Sequence, residues 1–257
     1  MTHSSKLSPP SSTEADGSTR AVLRPSPRLF ADAIRLGQCP SDRVFDRFLL
    51  PDLQAASQQY WTPLAVALRA AQWLGELGVR SVFDVGSGAG KFCVVAALAS
   101  EASFVGVEQR ARLVAAASEL AREFGVDDRV RFVHGLFDRS LSACADAYYF
   151  YNSFGENLFD VDNRLDDDVE LGAERYRDDV VTAERMLREA PIGTYLLTYN
   201  GFGGVVPAGY SEVRVDRELP CVLRMWRKDE PSRRSPITVR AVAESLREST
   251  IPTLASE

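Results

Sequence analysis

Histidine is nearly missing from this chain: His3 and His134 are the only two in 257 residues. A histidine-built metal centre is therefore not expected, because imidazole supplies most nitrogen ligands in such sites. Cysteine is sparse as well. Cys39, Cys93, Cys144 and Cys221 stand far apart with no C-x-x-C pair, so reduced thiols in a cytoplasmic protein are expected rather than a disulfide framework. No charge-free apolar run approaches the ~20 residues of a membrane-spanning helix, and the N-terminus lacks a secretory signal pattern. Positive charge is not in excess either. The formal net charge of −6 argues against a general grip on nucleic acid.

What remains is the composition of a folded α/β domain, 45% hydrophobic and 26% charged. Residues 1–27 are rich in Ser, Thr and Pro and read as a disordered tail. Residues 28–230 carry the apolar periodicity of one domain, opening on short helical patterns around Phe30, Ile34, Phe45 and Phe48. Residues 231–257 read as a second tail with one short helix at Val239–Leu246. Thr62 and Pro63 are the expected N-cap and first position of a helix running to Leu77, which Gly78 stops.

The stretch from Ser81 to Phe92 organises the rest. An apolar run ends in Asp84-Val85, glycines alternate at Gly86, Gly88 and Gly90, and a helical segment begins at Phe92. This is a strand, a turn stripped of side chains, and a helix whose free N–H groups face the turn. A phosphate-cradling loop needs a hydroxyl after Gly-Lys, and Phe92 has none. The dinucleotide fingerprint needs a third glycine where Lys91 stands. The pattern present is D-x-G-S-G-x-G, and it resembles motif I of the class I S-adenosylmethionine-dependent methyltransferases.

A second strand ends in Glu108, 24 residues after Asp84. An acid there accepts hydrogen bonds from ribose hydroxyls in nucleotide-binding α/β folds, and it also suits the N-terminus of the next helix, Arg110 to Glu123. A third strand ends at His134, a structural strand-end residue. A fourth, Ala145–Tyr151, runs into Asn152-Ser153-Phe154-Gly155-Glu156. The acidic run from Asp160 to Asp179 reads as a charged helix start leading to Glu189. Strands over Thr194–Tyr199, Val213–Val215 and Val222–Trp226 follow.

The resemblance implies an open, mostly parallel, seven-stranded α/β sheet with helices on both faces and an antiparallel C-terminal hairpin. It implies S-adenosyl-L-methionine as cofactor, held by Asp84, Gly86, Ser87, Gly88, Gly90, Glu108, Gln109, Leu136, Phe137 and Asn152, with Tyr60 and Thr62 above it. Leu136 stands where many members of the family carry an acid near adenine, and Asp138 is the alternative group. Asn152 with Phe154 resembles the ends of the [ND]-P-P-[YF] loop of amino-group methyltransferases, which points to Asn152, Tyr151 and Glu156 as the catalytic set. The cofactor half is also similar to the non-SET histone lysine methyltransferases. The expected function is methyl transfer to a small-molecule nitrogen. A protein lysine methyltransferase and a non-catalytic S-adenosylmethionine-binding module are the alternatives.

Overall fold

Ser81–Val85 forms β1, and its alternation decides the layering of the molecule. Val82 faces one apolar layer while Phe83 and Val85 face the other, as period-2 geometry requires. The computed structural model describes residues 25–137 and 145–232. Around β1 lie β2 (Ser103–Glu108), β3 (Val130–His134), β4 (Ala147–Tyr151), β5 (Tyr195–Tyr199), β6 (Tyr210–Asp216) and β7 (Leu223–Lys228). Their order across the sheet is β3-β2-β1-β4-β5-β7-β6, the expected open α/β arrangement. The first five are parallel; β7 runs antiparallel to both β5 and β6.

The helices are α1 (Pro27–Arg35), α2 (Asp42–Asp46), α3 (Pro51–Tyr60), α4 (Leu64–Glu76), α5 (Lys91–Ala99), α6 (Ala111–Glu123) and α7 (Ala173–Glu189). Residues of α1, α4, α5 and α6 fill the layer that Val82 joins. Those of α7 fill the opposite one. Helix α5 is apolar all round and buried from Lys91 to Leu98, as an element covered on every side must be. Phe30, Phe45, Phe48 and Phe124 meet edge-on or stacked and fasten α1 and α2 to the end of α6.

Several expectations shift. Ser26 caps α1 by accepting from Leu29 N–H and Pro27 opens the helix, so residues 26 and 27 belong to the folded domain rather than the tail. Thr62 does not cap α4: the helix begins at Leu64, whose N–H donates to Asp42 Oδ1 at 2.9 Å. The Thr62 hydroxyl bonds instead to the Tyr149 phenol, 3.0 Å away. The acidic run is a helix start only in its last part: α7 opens at Ala173 with Glu174 in its first turn and ends at Glu189, and two 3₁₀ turns, Gly155–Leu158 and Val161–Asn163, precede it. Asp138 and the Val239–Leu246 helix fall outside the described residues. No helix among those described is long and apolar enough to cross a membrane.

Candidate functional site at the carboxyl edge of the sheet

Strands β1, β4 and β5 all leave the sheet through a left-handed residue: Gly86 (φ 74), Asn152 (φ 50) and Asn200 (φ 64). Such residues turn the chain sharply, and their loops crowd together at the strands' carboxyl edge, where open α/β sheets bind ligands. A Cβ on Gly86 would come within 3.1 Å of the Ser153 backbone. The glycine turn and the loop after β4 are thus in contact.

Each glycine of the turn has a separate reason. A Cβ on Gly88 would lie 2.4 Å from the Trp61 ring, and one on Gly90 would strike Phe132 and Ala117. Gly90 lets α5 sit close to the sheet; Gly88 lets Trp61 cover the turn. Trp61 is fixed there by donating its indole N–H to the Leu53 carbonyl at 3.0 Å. Tyr60 donates its phenol to the Asn163 carbonyl, which joins the end of α3 to the segment after β4.

Glu108 ends β2 with its carboxylate buried. One oxygen accepts from Gly88 N–H at 3.0 Å and the other from Arg110 N–H at 2.9 Å. The helix-start role is met here, since Arg110, whose N–H Glu108 accepts, is the N-cap residue of α6. Burial raises the Glu108 pKa against the opposing pull of those two N–H groups and the Arg110 charge. A carboxylate has about four lone-pair sites, so roughly two remain open.

Asp84 lies beneath the turn, 3% exposed, with the Cys93 thiol donating to it at 3.2 Å. Desolvation pushes its pKa up to about 7; the thiol opposes this and Glu108 adds to it. The hydroxyls of Ser87 and Ser153 are buried without hydrogen-bond partners among the described residues. Tyr60, Trp61, Asp84, Ser87, Tyr149 and Tyr151 surround a cavity of about 20 Å³, the space of a single water. A groove of about 1040 Å³ runs elsewhere, between the outer face of α4 and the end of α1, and touches none of the predicted site residues.

The predicted catalytic set divides. Asn152 is exposed at the strand exit. Tyr151 lies tilted against Tyr199, ring centroids 5.0 Å apart, and burial pushes its pKa to about 12. Glu156 is committed elsewhere: its two oxygens accept from Arg110 Nη1 and Nη2, both at 2.9 Å, and from Leu165 N–H at 2.7 Å. Arg110 also donates to Asp166 at 2.6 Å. Glu156 therefore holds the loop after β4 to the end of β2, with both its oxygens committed to Arg110 and Leu165. Among the remaining predicted residues, Gln109 accepts from Arg175 at 3.3 Å, Leu136 is half exposed, and Phe137 packs against Phe83 and Phe154 in the core. His134 sits 3.0 Å from the Gln109 carbonyl.

Two charged residues of the site escaped the sequence reading. Lys91 is 2% exposed and reaches Asp42 at 2.6 Å, Asp46 at 2.9 Å and the Ser57 hydroxyl at 3.2 Å. Asp42 and Asp46, four apart on one short helix face, were the available signal. Arg110 offered none, because its partners lie 46 and 56 residues away.

Residues 80–160 match a family described as a methyltransferase domain. A Klebsiella pneumoniae protein assigned as an O-methyltransferase is 14% identical, with 79% of this chain and 97% of that one aligned at a TM-score of 0.51. An RNA methyltransferase from Salinibacter ruber, solved with S-adenosyl-L-homocysteine, is 20% identical over 69% of this chain and 99% of its own, at a TM-score of 0.46. A comparison with curated proteins finds no match. The motif, the strand order and the family match over the glycine turn lead to one assignment: this chain carries a class I S-adenosylmethionine-dependent methyltransferase domain.

Proposed function

We propose that this chain methylates a nitrogen of a small-molecule amine in the cytoplasm. One observation carries the choice of nitrogen: Glu156 and Tyr151, the two candidate bases beside Asn152, are withdrawn from that work. Glu156 is tied to Arg110, and the Tyr151 phenol, at about 12, stays protonated near neutrality. An alcohol acceptor needs a base matched to the working pH. A neutral amine needs only orientation, which the Asn152 carboxamide supplies by accepting its N–H. Exposed acids at Asp160, Asp162 and Asp168 on the adjoining segment draw a protonated amine towards this edge, and it gives its extra proton to water before the neutral nitrogen meets Asn152.

The donor set suits S-adenosylmethionine, which supplies an electrophilic methyl on a sulfonium. Glu108 retains acceptor sites for ribose hydroxyls. Ser87 and Ser153 offer buried hydroxyls that lack partners among the described residues, and such groups are costly unless a ligand satisfies them. The aromatic faces of Tyr60 and Trp61 favour a cation nearby. Since the space beneath them is about 20 Å³, their turn must lift from Gly88 for a ligand to lie there.

The test is turnover of methyl-labelled cofactor with a cell extract separated into protein, RNA and small-molecule fractions. Label is expected in small-molecule amines. Label in protein lysine would replace this reading with the protein-modifying one, and label nowhere would leave a binding module. Asn152→Gly keeps the left-handed backbone and removes only the carboxamide. It should lower turnover at least about tenfold and leave S-adenosylhomocysteine affinity, measured by calorimetry, within a few-fold.

A further inference from the structure

Asn152 has a counterpart that the nitrogen-methylation reading does not use. Tyr151 and Tyr199 are paired in the β4–β5 register, so the next residues, Asn152 and Asn200, leave neighbouring parallel strands side by side. Both are left-handed and exposed. Neither carboxamide hydrogen-bonds another group among the described residues. The Asn200 backbone is independently held, its N–H donating to the Val222 carbonyl at 3.1 Å. Glycine is the low-cost residue for such a turn, and the chain uses it at the equivalent exit of β1 and immediately after Asn200, at Gly201 (φ 78). At the two exits nearest the presumed acceptor, a side chain is kept instead.

We infer that Asn200 is a specificity-determining residue, and that Asn152 and Asn200 together select a bifunctional amine. Such an acceptor bears a second hydrogen-bond donor, a hydroxyl or a second amine, about one strand spacing from the methylated nitrogen. Neighbouring strands lie ~4.8 Å apart, which is close to the reach of a three-carbon amino alcohol or diamine. Asn152 accepts from the reacting nitrogen and Asn200 Oδ1 accepts from the second group. A monofunctional amine would leave Asn200 unanswered and would have freedom to rotate about its single contact. This inference rests on the nitrogen-methylation reading.

The experiment uses the full chain, methyl-labelled S-adenosylmethionine and the small-molecule extract fraction as acceptor source. Asn200→Gly preserves the backbone, so its melting temperature and S-adenosylhomocysteine affinity should match the parent, while kcat/KM falls about tenfold. Asn200→Asp, which keeps a side-chain acceptor and tolerates the same backbone, should remain within a few-fold of the parent. As competitors, 3-aminopropan-1-ol should inhibit the parent more strongly than propylamine, and Asn200→Gly should erase that difference. Parental turnover in Asn200→Gly, equal loss in the Gly and Asp variants, or equal inhibition of the parent by both competitors overturns the role of Asn200 alone. Absence of label in any amine from the parent removes the nitrogen-methylation reading and this inference with it.

Discussion

Asp84 shows how a motif residue can be legible in sequence while its chemistry is not. Its place two residues before Gly86 marks the strand end, but only the fold reveals a carboxyl enclosed by Tyr149, Cys93 and the glycine turn. Burial holds its folded pKa near 7, against an ordinary 3.8. The folded protein therefore retains a proton that the unfolded chain releases, and stability falls as pH rises from about 4 to about 7, by up to about 1.4 kcal/mol per unit. Above that window the loss is complete and the curve levels. Asp84→Asn cannot ionise, so the stability difference between variant and parent should grow from pH 4.5 to 7 and then stay flat. Urea denaturation across that range checks this, and parallel curves would show that Asp84 titrates like an exposed acid.

Elements built from local pattern were readable; elements that meet only in space were not. The seven strands follow from short apolar, β-branched and aromatic runs, and α5 from its apolar segment behind the glycines. The capping of α4 was misread because Thr62 and Pro63 are a good local cap, yet Asp42, 22 residues earlier, satisfies Leu64 N–H and frees Thr62 for Tyr149. Lys91 belongs with this class. In sequence it merely spoils a dinucleotide fingerprint; in the fold it is the buried knot joining α2 and α3 to the first turn of α5. Lys91→Met keeps the aliphatic stem and removes the charge, leaving Asp46 buried and unmatched. Breaking a buried pair in this way costs roughly 3–5 kcal/mol, somewhat less here because Asp42 is 43% exposed. Amide exchange should quicken in α2 and α3 well before β1 or β4, since the sheet keeps its own ladder. Uniform quickening would mean that Lys91 supports the whole core rather than the cap over the site.

At the scale of the whole molecule, the sheet divides its labour between two edges. The glycine turn and the candidate site residues gather where the parallel strands end, and the opposite edge serves closure. Lys228, the last residue of β7, lies at that opposite edge because β7 runs against β5, pairing Arg227 with Tyr195. It is 2% exposed, and its ammonium donates to the carbonyls of Leu187, Arg188 and Ala190 at 3.1, 2.6 and 2.7 Å. Those are carbonyls at the end of α7, which helix geometry leaves without partners and whose partial negative charge favours a cation. One side chain thus fastens the antiparallel hairpin to the helix that covers the second apolar layer. Lys228→Met would bury the same stem but orphan three carbonyls, at about 1–3 kcal/mol for each group that water cannot reach. Some relax to solvent as the last turn frays, so a total loss of about 3 kcal/mol is expected in urea denaturation. Because the damage is at the far edge, S-adenosylhomocysteine affinity measured under native conditions should stay within twofold of the parent. An equal loss of stability and affinity would mean that the hairpin, through β5, also sets the position of Asn200 and Asn152, and that the two edges are mechanically one.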